Sequence, residues 1–210
     1  MDFITISGWG QQVDALASIA PTSHHQDYLQ YPSDKDWFAT LPPHCDILVG
    51  WSLGGQLAIQ TVPLLSPKLL ILLSTPACLA SPQLDSFITA FATNPTQALA
   101  RFQLQIAHGD SNASLIRKQP AYQGNTSHFA SWLEQLKDFN ASSVDFSGFP
   151  RTIIIHGTED VIVPVAQAAT LHAMIPGSKL ITFEQCGHAP HLHNHSAITT
   201  IITNEIPHSA

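Results

Sequence analysis

The runs "ILV" (47–49), "LLILL" (69–73) and "TIII" (152–155) carry no alternation of polar and apolar residues. A strand that is apolar on both sides must be covered on both sides, which calls for a mostly parallel sheet with helices above and below it. The order along the chain agrees, because short apolar runs alternate with helical patterns. Strand candidates are Phe3–Ile6, a weaker one near Tyr28–Tyr31 ahead of Pro32, Ile47–Val49, Leu69–Leu73, Thr152–Ile155 and Leu180–Phe183. The expectation is an α/β fold built on a mostly parallel sheet of about six strands.

Helices carry their own punctuation. Pro164 suits the first turn of a helix reaching about Met174, with Gly177 beyond its end. Ser196 can cap a last helix in which Ala197, Ile198, Ile201 and Ile202 make one apolar stripe. Between Pro76 and Phe149 the strand–helix alternation stops. Asn94-Pro95 opens a helix with Leu99, Phe102 and Ile106 on one face, and Phe129, Trp132, Leu133 and Leu136 share a face on another. Residues of about 77–148 therefore form a helical insertion, a lid over one edge of the sheet. At 210 residues the chain is expected to be a single domain, 1–210.

Composition narrows the partners. With 44% hydrophobic and 11% charged residues the chain is globular rather than disordered. A formal charge of −7 argues against a general nucleic-acid or anionic-membrane binder. No apolar run approaches the roughly 20 residues that cross a bilayer. The start, "MDFITISGWG", has no basic region and does not look like a signal peptide. Cys45, Cys78 and Cys186 lie far apart with no CxxC spacing, as expected of reduced thiols in a cytoplasmic protein.

One turn stands out against this frame. Gly50-Trp51-Ser52-Leu53-Gly54, with Gly55 after it, places a serine between glycines where a buried strand meets an Ala/Leu helix. Glycines two before and two after the serine let backbones pass closely and expose its hydroxyl at the edge of a sheet. The amide after it begins a helix, so it is free to receive negative charge.

A serine hydroxyl needs a base to take its proton. The chain has 12 histidines, so position must select among them. His188, in "EQCGHAPH", follows the last strand candidate. Asp160, in "HGTEDVIVP", follows the strand before it, and the neighbouring Glu159 is expected to point the other way. The order Ser52, Asp160, His188 is that of nucleophile, acid and base in hydrolases built on such sheets. All three lie beyond strand carboxyl ends, where open α/β sheets bind ligands.

An oxyanion site needs two donors. Leu53 N–H is one, and Trp9 N–H, in the "SGWGQQ" loop after the first strand, is the candidate for the other. Trp9 also reads as an anchoring core aromatic, and both roles are compatible, since ring and amide face different ways.

The chain resembles the α/β-hydrolases, and more narrowly it is similar to the pimeloyl-acyl-carrier-protein methyl ester esterases of the biotin pathway. The resemblance is carried by "SGWGQQ", "GWSLGGQLA", "STPAC", "ALARFQLQIAHGDSNASLIRK", "HGTEDVIVP" and "GHAPHLHN", which together span nearly the whole chain. It implies a serine carboxylesterase with Ser52, Asp160 and His188 as triad, and Trp9 and Leu53 on the oxyanion. It further implies that Phe102, Gln103, Leu104, Gln105 and Ile106 line an acyl channel from the lid. Arg101, Arg117 and Lys118 are then the residues that meet an acidic acyl carrier protein carrying the pimeloyl methyl ester. No cofactor or metal is implied, and a monomer is expected.

The pattern departs from the family in three places. Ser7 stands where histidine often precedes the oxyanion glycine, and Gln97 and Ser114 stand where further arginines are expected. The sheet is expected to be reduced, lacking the two strands that usually come first.

Two features have plain alternatives. The three basic residues between positions 101 and 118, against one acid, Asp110, suit either a docking patch or an ordinary solvated helix face. His191, His193 and His195 alternate as metal ligands do, yet no carboxylate or thiol neighbours them, so metal is not expected. Competing functions are a small-molecule esterase, thioesterase or lyase on the same triad, and a non-catalytic ligand-binding relative.

Overall fold

A computed structural model describes residues 2–205. Six strands form one sheet: β1 (Phe3–Ile6), β2 (His24–Gln26), β3 (Ile47–Trp51), β4 (Leu69–Leu73), β5 (Arg151–Gly157) and β6 (Lys179–Phe183). Their spatial order is β2-β1-β3-β4-β5-β6, and every neighbouring pair is parallel. Among the described residues the α-helices are α1 (Asp34–Phe38), α2 (Leu53–Leu65), α3 (Pro82–Thr93), α4 (Pro95–Ile106), α5 (Ala113–Ile116), α6 (Phe129–Asp138), α7 (Ala166–Met174), α8 (Pro190–His193) and α9 (His195–Glu205).

The apolar runs are buried as their composition demands. All five residues of β3 and all five of β4 are buried. Successive side chains leave a strand on opposite faces, so each run supplies two cores. Leu48, Leu70, Leu72 and Ile154 pack with Leu57, Ala58 and Val62 of α2 on one face. Ile47, Val49, Leu69, Ile71, Leu73, Ile153 and Ile155 pack with Ile198 and Ile202 of α9 on the other. Each fully buried Leu or Ile contributes about 1.5–3 kcal/mol to the fold.

Helices α3 to α6 fill the stretch between β4 and β5. Their starts are encoded locally. Ser81 accepts the Leu84 amide and Pro82 opens α3, while Asn94 accepts the Gln97 amide and Pro95 opens α4. Phe129, Trp132, Leu133 and Leu136 all turn inward from α6.

Two local expectations are corrected. The second strand lies at His24–Gln26, and Tyr28–Gln30 is a 3-10 turn. Tyr28 and Leu29 are apolar because they fill the core: the Tyr28 ring lies 4.8 Å from Trp132 and 5.9 Å from Trp37. Ser196 lies inside α9 and does not cap it. The helix starts at His195, where α8 runs into it through Asn194, whose carbonyl accepts the Ile198 amide at 2.9 Å. Helix α7 starts two residues after Pro164, which accepts the Gln167 amide at 2.8 Å.

Candidate active site

Three close backbone approaches assemble the site, and each passes through a glycine. Ser52 follows β3 with φ 56° and ψ −120°, a backbone region that costs a non-glycine residue about 1–3 kcal/mol. Its amide donates to Leu73 O at 2.8 Å and its carbonyl accepts the Gly55 amide at 2.9 Å, which together hold the turn. A Cβ at Gly50 would lie 2.4 Å from Gly54 O, so the turn closes only without side chains there. A Cβ at Gly54 would lie 2.2 Å from Ile6 O and 2.4 Å from Ser7 O. The start of α2 is thereby pressed against the end of β1, just ahead of Trp9. A Cβ at Gly157 would lie 2.2 Å from both Cys186 O and Gly187 O, so the turn bearing Asp160 meets the loop bearing His188.

The candidate acid and the candidate base are joined. His188 Nδ1 donates to Asp160 Oδ2 at 2.7 Å, and both side chains are fully buried. The other carboxylate oxygen, Oδ1, accepts the amides of Ile162 and Val163 at 2.9 Å each. His156 Nε2 donates to Val163 O at 2.7 Å and also lies 3.3 Å from Asp160 Oδ2. Burial alone would raise the Asp160 pKa. The positive charge available at His188, with hydrogen bonds from His156 and His188, outweighs it and holds the carboxyl well below the usual range. A charged acceptor at Nδ1 keeps the neutral imidazole's proton there and leaves Nε2 as a base. His188 Nε2 is buried and accepts no hydrogen bond from any described residue. It therefore makes no hydrogen bond to Ser52 Oγ; catalytic hydrogen bonds in a free enzyme are often long and tighten with substrate.

Ser52, 5% exposed, opens onto a cavity of about 160 Å³. Trp9, Leu84, Phe87, Phe102, Leu133 and Ile162 supply most of its apolar wall, Gln83 and Gln105 add amides, and among the described residues no charged side chain lines it. The Trp9 ring meets Phe87, Phe91, Phe102 and Phe129 at centroid distances of 5.2–5.6 Å, and its Nε1 donates to Phe129 O at 3.0 Å. The side chain is therefore a core anchor. Among the described residues the amides of Trp9 and Leu53 make no turn or loop hydrogen bond to backbone. Leu53 begins α2, where an amide lacks an intrahelical partner.

The five positions of α4 divide by helical period. Phe102 and Gln105, three apart, share the cavity face. Leu104 faces solvent at 57% exposure, Ile106 is buried in the core beside Ile116 and Ile155, and Gln103 is half-buried away from the cavity wall. An unbroken lining from 102 to 106 is incompatible with a helix, which turns successive residues by about 100°.

Arg101, Arg117 and Lys118 are all exposed. Lys68, Lys137, Arg151 and Lys179 each pair with a carboxylate, whereas those three pair with none among the described residues. Asp110, the one acid in that stretch, has a side chain that is 0% exposed and turned inward. Glu159 is exposed, with its amide donating to Cys186 O at 2.9 Å.

Two members of the site carried no signal for this role. Trp51 Nε1 donates to His188 O at 2.8 Å, fixing the histidine loop from the residue next to the serine. The same ring packs on His191 at 4.4 Å. His191 is wholly buried, and burial, with the nearby His188 second, lowers its pKa to about 3. His156 backs the acid, and its only sequence signal was its place directly before Gly157. His193 turns away to Asp110, 3.1 Å from Oδ1, so the alternating histidines go to different partners. Cys45, Cys78 and Cys186 are free thiols, and burial foremost raises Cys45 and Cys186 to about 12.

Comparison with known proteins agrees with the fold. Residues 4–199 match the alpha/beta hydrolase family. The chain is 26% identical over 230 residues to a pimeloyl-[acyl-carrier protein] methyl ester esterase from Aromatoleum aromaticum, covering 91% of this chain and 92% of that one. It is 30% identical over 189 residues to the esterase of the same name from Xylella fastidiosa, covering 80% and 72%. A hydrolase from Pseudomonas aeruginosa shares the fold, with a TM-score of 0.80, 16% identity, and coverage of 99% of this chain and 90% of that one. The chain belongs to the alpha/beta hydrolase family, in the branch that holds these esterases, and is a carboxylic ester hydrolase.

Proposed function

We propose that the chain hydrolyses the methyl ester of a pimeloyl chain carried on acyl carrier protein, through an acyl-enzyme on Ser52, as a cytoplasmic monomer whose residues 77–148 act as a lid. Ser52 Oγ attacks the ester carbonyl while His188 Nε2 takes the hydroxyl proton. The amides of Leu53 and Trp9 receive the negative charge that develops on oxygen, each donor contributing about 3 kcal/mol of transition-state stabilisation. The intermediate collapses by breaking the bond to methoxide, which leaves as methanol with the proton from His188. Water then attacks the acyl-enzyme, His188 takes its proton and returns one to Ser52, and the carboxylate departs. Asp160 stabilises the imidazolium in both halves.

The observation that carries the chemistry is the buried Asp160–His188 hydrogen bond of 2.7 Å behind a serine held in a strained turn. The substrate rests on the names of the relatives, an apolar cavity suited to a methylene chain, and three cations on the insertion that pair with no carboxylate among the described residues. Such cations attract an acidic carrier, and salt screens the attraction. The test is hydrolysis of pimeloyl-carrier methyl ester against a free methyl ester of equal chain length. The carrier-linked ester is expected to be preferred at low salt, with the preference lost at high salt and in Arg101→Glu. Equal rates at every salt concentration would remove the carrier from the proposal. Rescue of a bacterium lacking its own such esterase, by the wild type and not by Ser52→Ala, tests pathway and nucleophile together.

A further inference from the structure

We propose that Asp110 is a positioning residue for His188, holding the catalytic histidine loop from the helical insertion. The assignment rests on the triad reading above and goes beyond it, since it concerns how the base is aimed whatever ester is bound.

The approach to His188 is fixed one residue at a time. Gln185 O accepts the Ser111 amide at 2.9 Å, Cys186 O accepts the Glu159 amide at 2.9 Å, and His188 O accepts Trp51 Nε1 at 2.8 Å. Between them, the Gly187 amide donates to Asp110 Oδ2 at 3.2 Å. Gly187 has no side chain with which to hold its place. A Cβ there would lie 2.6 Å from His108 O, so the loop is packed directly against the end of α4. Rotation of the 186–187 peptide would shift the backbone that carries the imidazole, and the Gly187 amide, held by Asp110 on one side while Cys186 O is held by Glu159 on the other, resists it.

Asp110 is built for this task and for no surface role. Its other oxygen accepts the Asn112 amide at 2.7 Å and lies 3.1 Å from His193 Nδ1, so the carboxylate is pinned from both sides. Gly109, at φ +75°, lets the chain turn inward there. A buried carboxylate accepting a backbone amide is a stronger and more directional tie than a neutral acceptor. It also sits in sequence between Arg101 and Arg117, so one segment of chain carries the basic residues and the contact to the histidine loop.

The experiment compares wild type, Asp110→Asn and Asp110→Ala on a p-nitrophenyl ester. Phe146→Ala, a buried aromatic outside the cavity wall, serves as a control for lost stability. Displacement of a catalytic group by about 1 Å costs on the order of 100-fold. Asp110→Ala is therefore expected to lower kcat about 10- to 100-fold with KM within about twofold. Asp110→Asn keeps one carbonyl acceptor and is expected to lose only about three- to tenfold. The downfield proton resonance of the His188–Asp160 hydrogen bond should shift in Asp110→Asn and broaden further in Asp110→Ala. If Asp110→Ala does not fold, the near-isosteric Asp110→Asn decides alone. Unchanged kcat and an unmoved resonance in Asp110→Asn overturn the proposal, as does an equal loss of kcat in Phe146→Ala at matched melting temperature. Activity surviving Ser52→Ala would instead overturn the triad reading itself.

Discussion

Replacing Asp160 with asparagine isolates the tautomer of His188 from the packing around it. Oδ1 of Asp160 accepts two amides, from Ile162 and Val163, at 2.9 Å each. An asparagine that turned its amino group toward them would lose two buried hydrogen bonds, at about 1–3 kcal/mol for each donor left unpaired. Its carbonyl oxygen therefore takes the Oδ1 place, and its amino group faces His188 Nδ1 across the 2.7 Å contact. That nitrogen must then accept, which moves the imidazole proton to Nε2 and removes the base. The expected loss is about 10⁴-fold in kcat, equivalent to about 5.4 kcal/mol. Both amide contacts persist but the stabilised charge is lost, so the protein should still fold, with a lower melting temperature. The assay is steady-state hydrolysis of a p-nitrophenyl ester, with exposed Glu159→Gln as a companion expected to match wild type. Retention of more than about a tenth of kcat in Asp160→Asn, where loss of the base predicts far less, would refute the reasoning. So would equal damage from Glu159→Gln.

Two further outcomes follow from the same geometry. Trp51→Phe keeps an aromatic ring but removes the donor to His188 O, leaving a buried carbonyl unpaired; stability should fall by about 1–3 kcal/mol, and kcat should fall more than KM rises. Urea denaturation together with steady-state kinetics checks both. His191 has a pKa near 3 when folded and an ordinary value of 6.5, so between those values the unfolded chain holds a proton that the folded chain does not. Its contribution to stability is full above pH 6.5 and falls as pH drops through that window, by about 1.4 kcal/mol per pH unit. Unfolding free energies from urea denaturation at pH 7 and pH 5 should differ by about 2 kcal/mol more in wild type than in His191→Leu, and equal differences would contradict the assignment. Asp160, held below the usual carboxylate range, contributes stability that is lost only as pH falls further, so it leaves this window clear.

What could be read from sequence depended on whether burial leaves a pattern. Strands β3, β4 and β5 are covered on both faces, and no other arrangement suits runs such as "LLILL". Strand β2, "HHQ", is a short edge strand with polar, partly exposed residues, so it left no apolar trace. The nearby Tyr28 and Leu29 gave a trace because they fill the core beside Trp37 and Trp132, not because they pair in the sheet. Ser52, Asp160 and His188 could be singled out as candidates because each follows a strand and lies within three residues of a glycine that permits a close approach. Trp51 and Asp110 could not. Their bonds to residues 188 and 187 span 137 and 77 positions, and nothing local distinguishes an aspartate turned inward from one facing water. On α4 the helical period alone separates Phe102 and Gln105 from Leu104, and a contiguous stretch of sequence hides it.

Acid-quenched mass spectrometry during turnover of a p-nitrophenyl ester tests the nucleophile most directly. A serine nucleophile with His188 as base predicts an acyl adduct confined to the peptide containing Ser52, absent in Ser52→Ala and strongly reduced in His188→Ala. Turnover with the adduct on another residue, or full turnover in Ser52→Ala with no adduct, would contradict it.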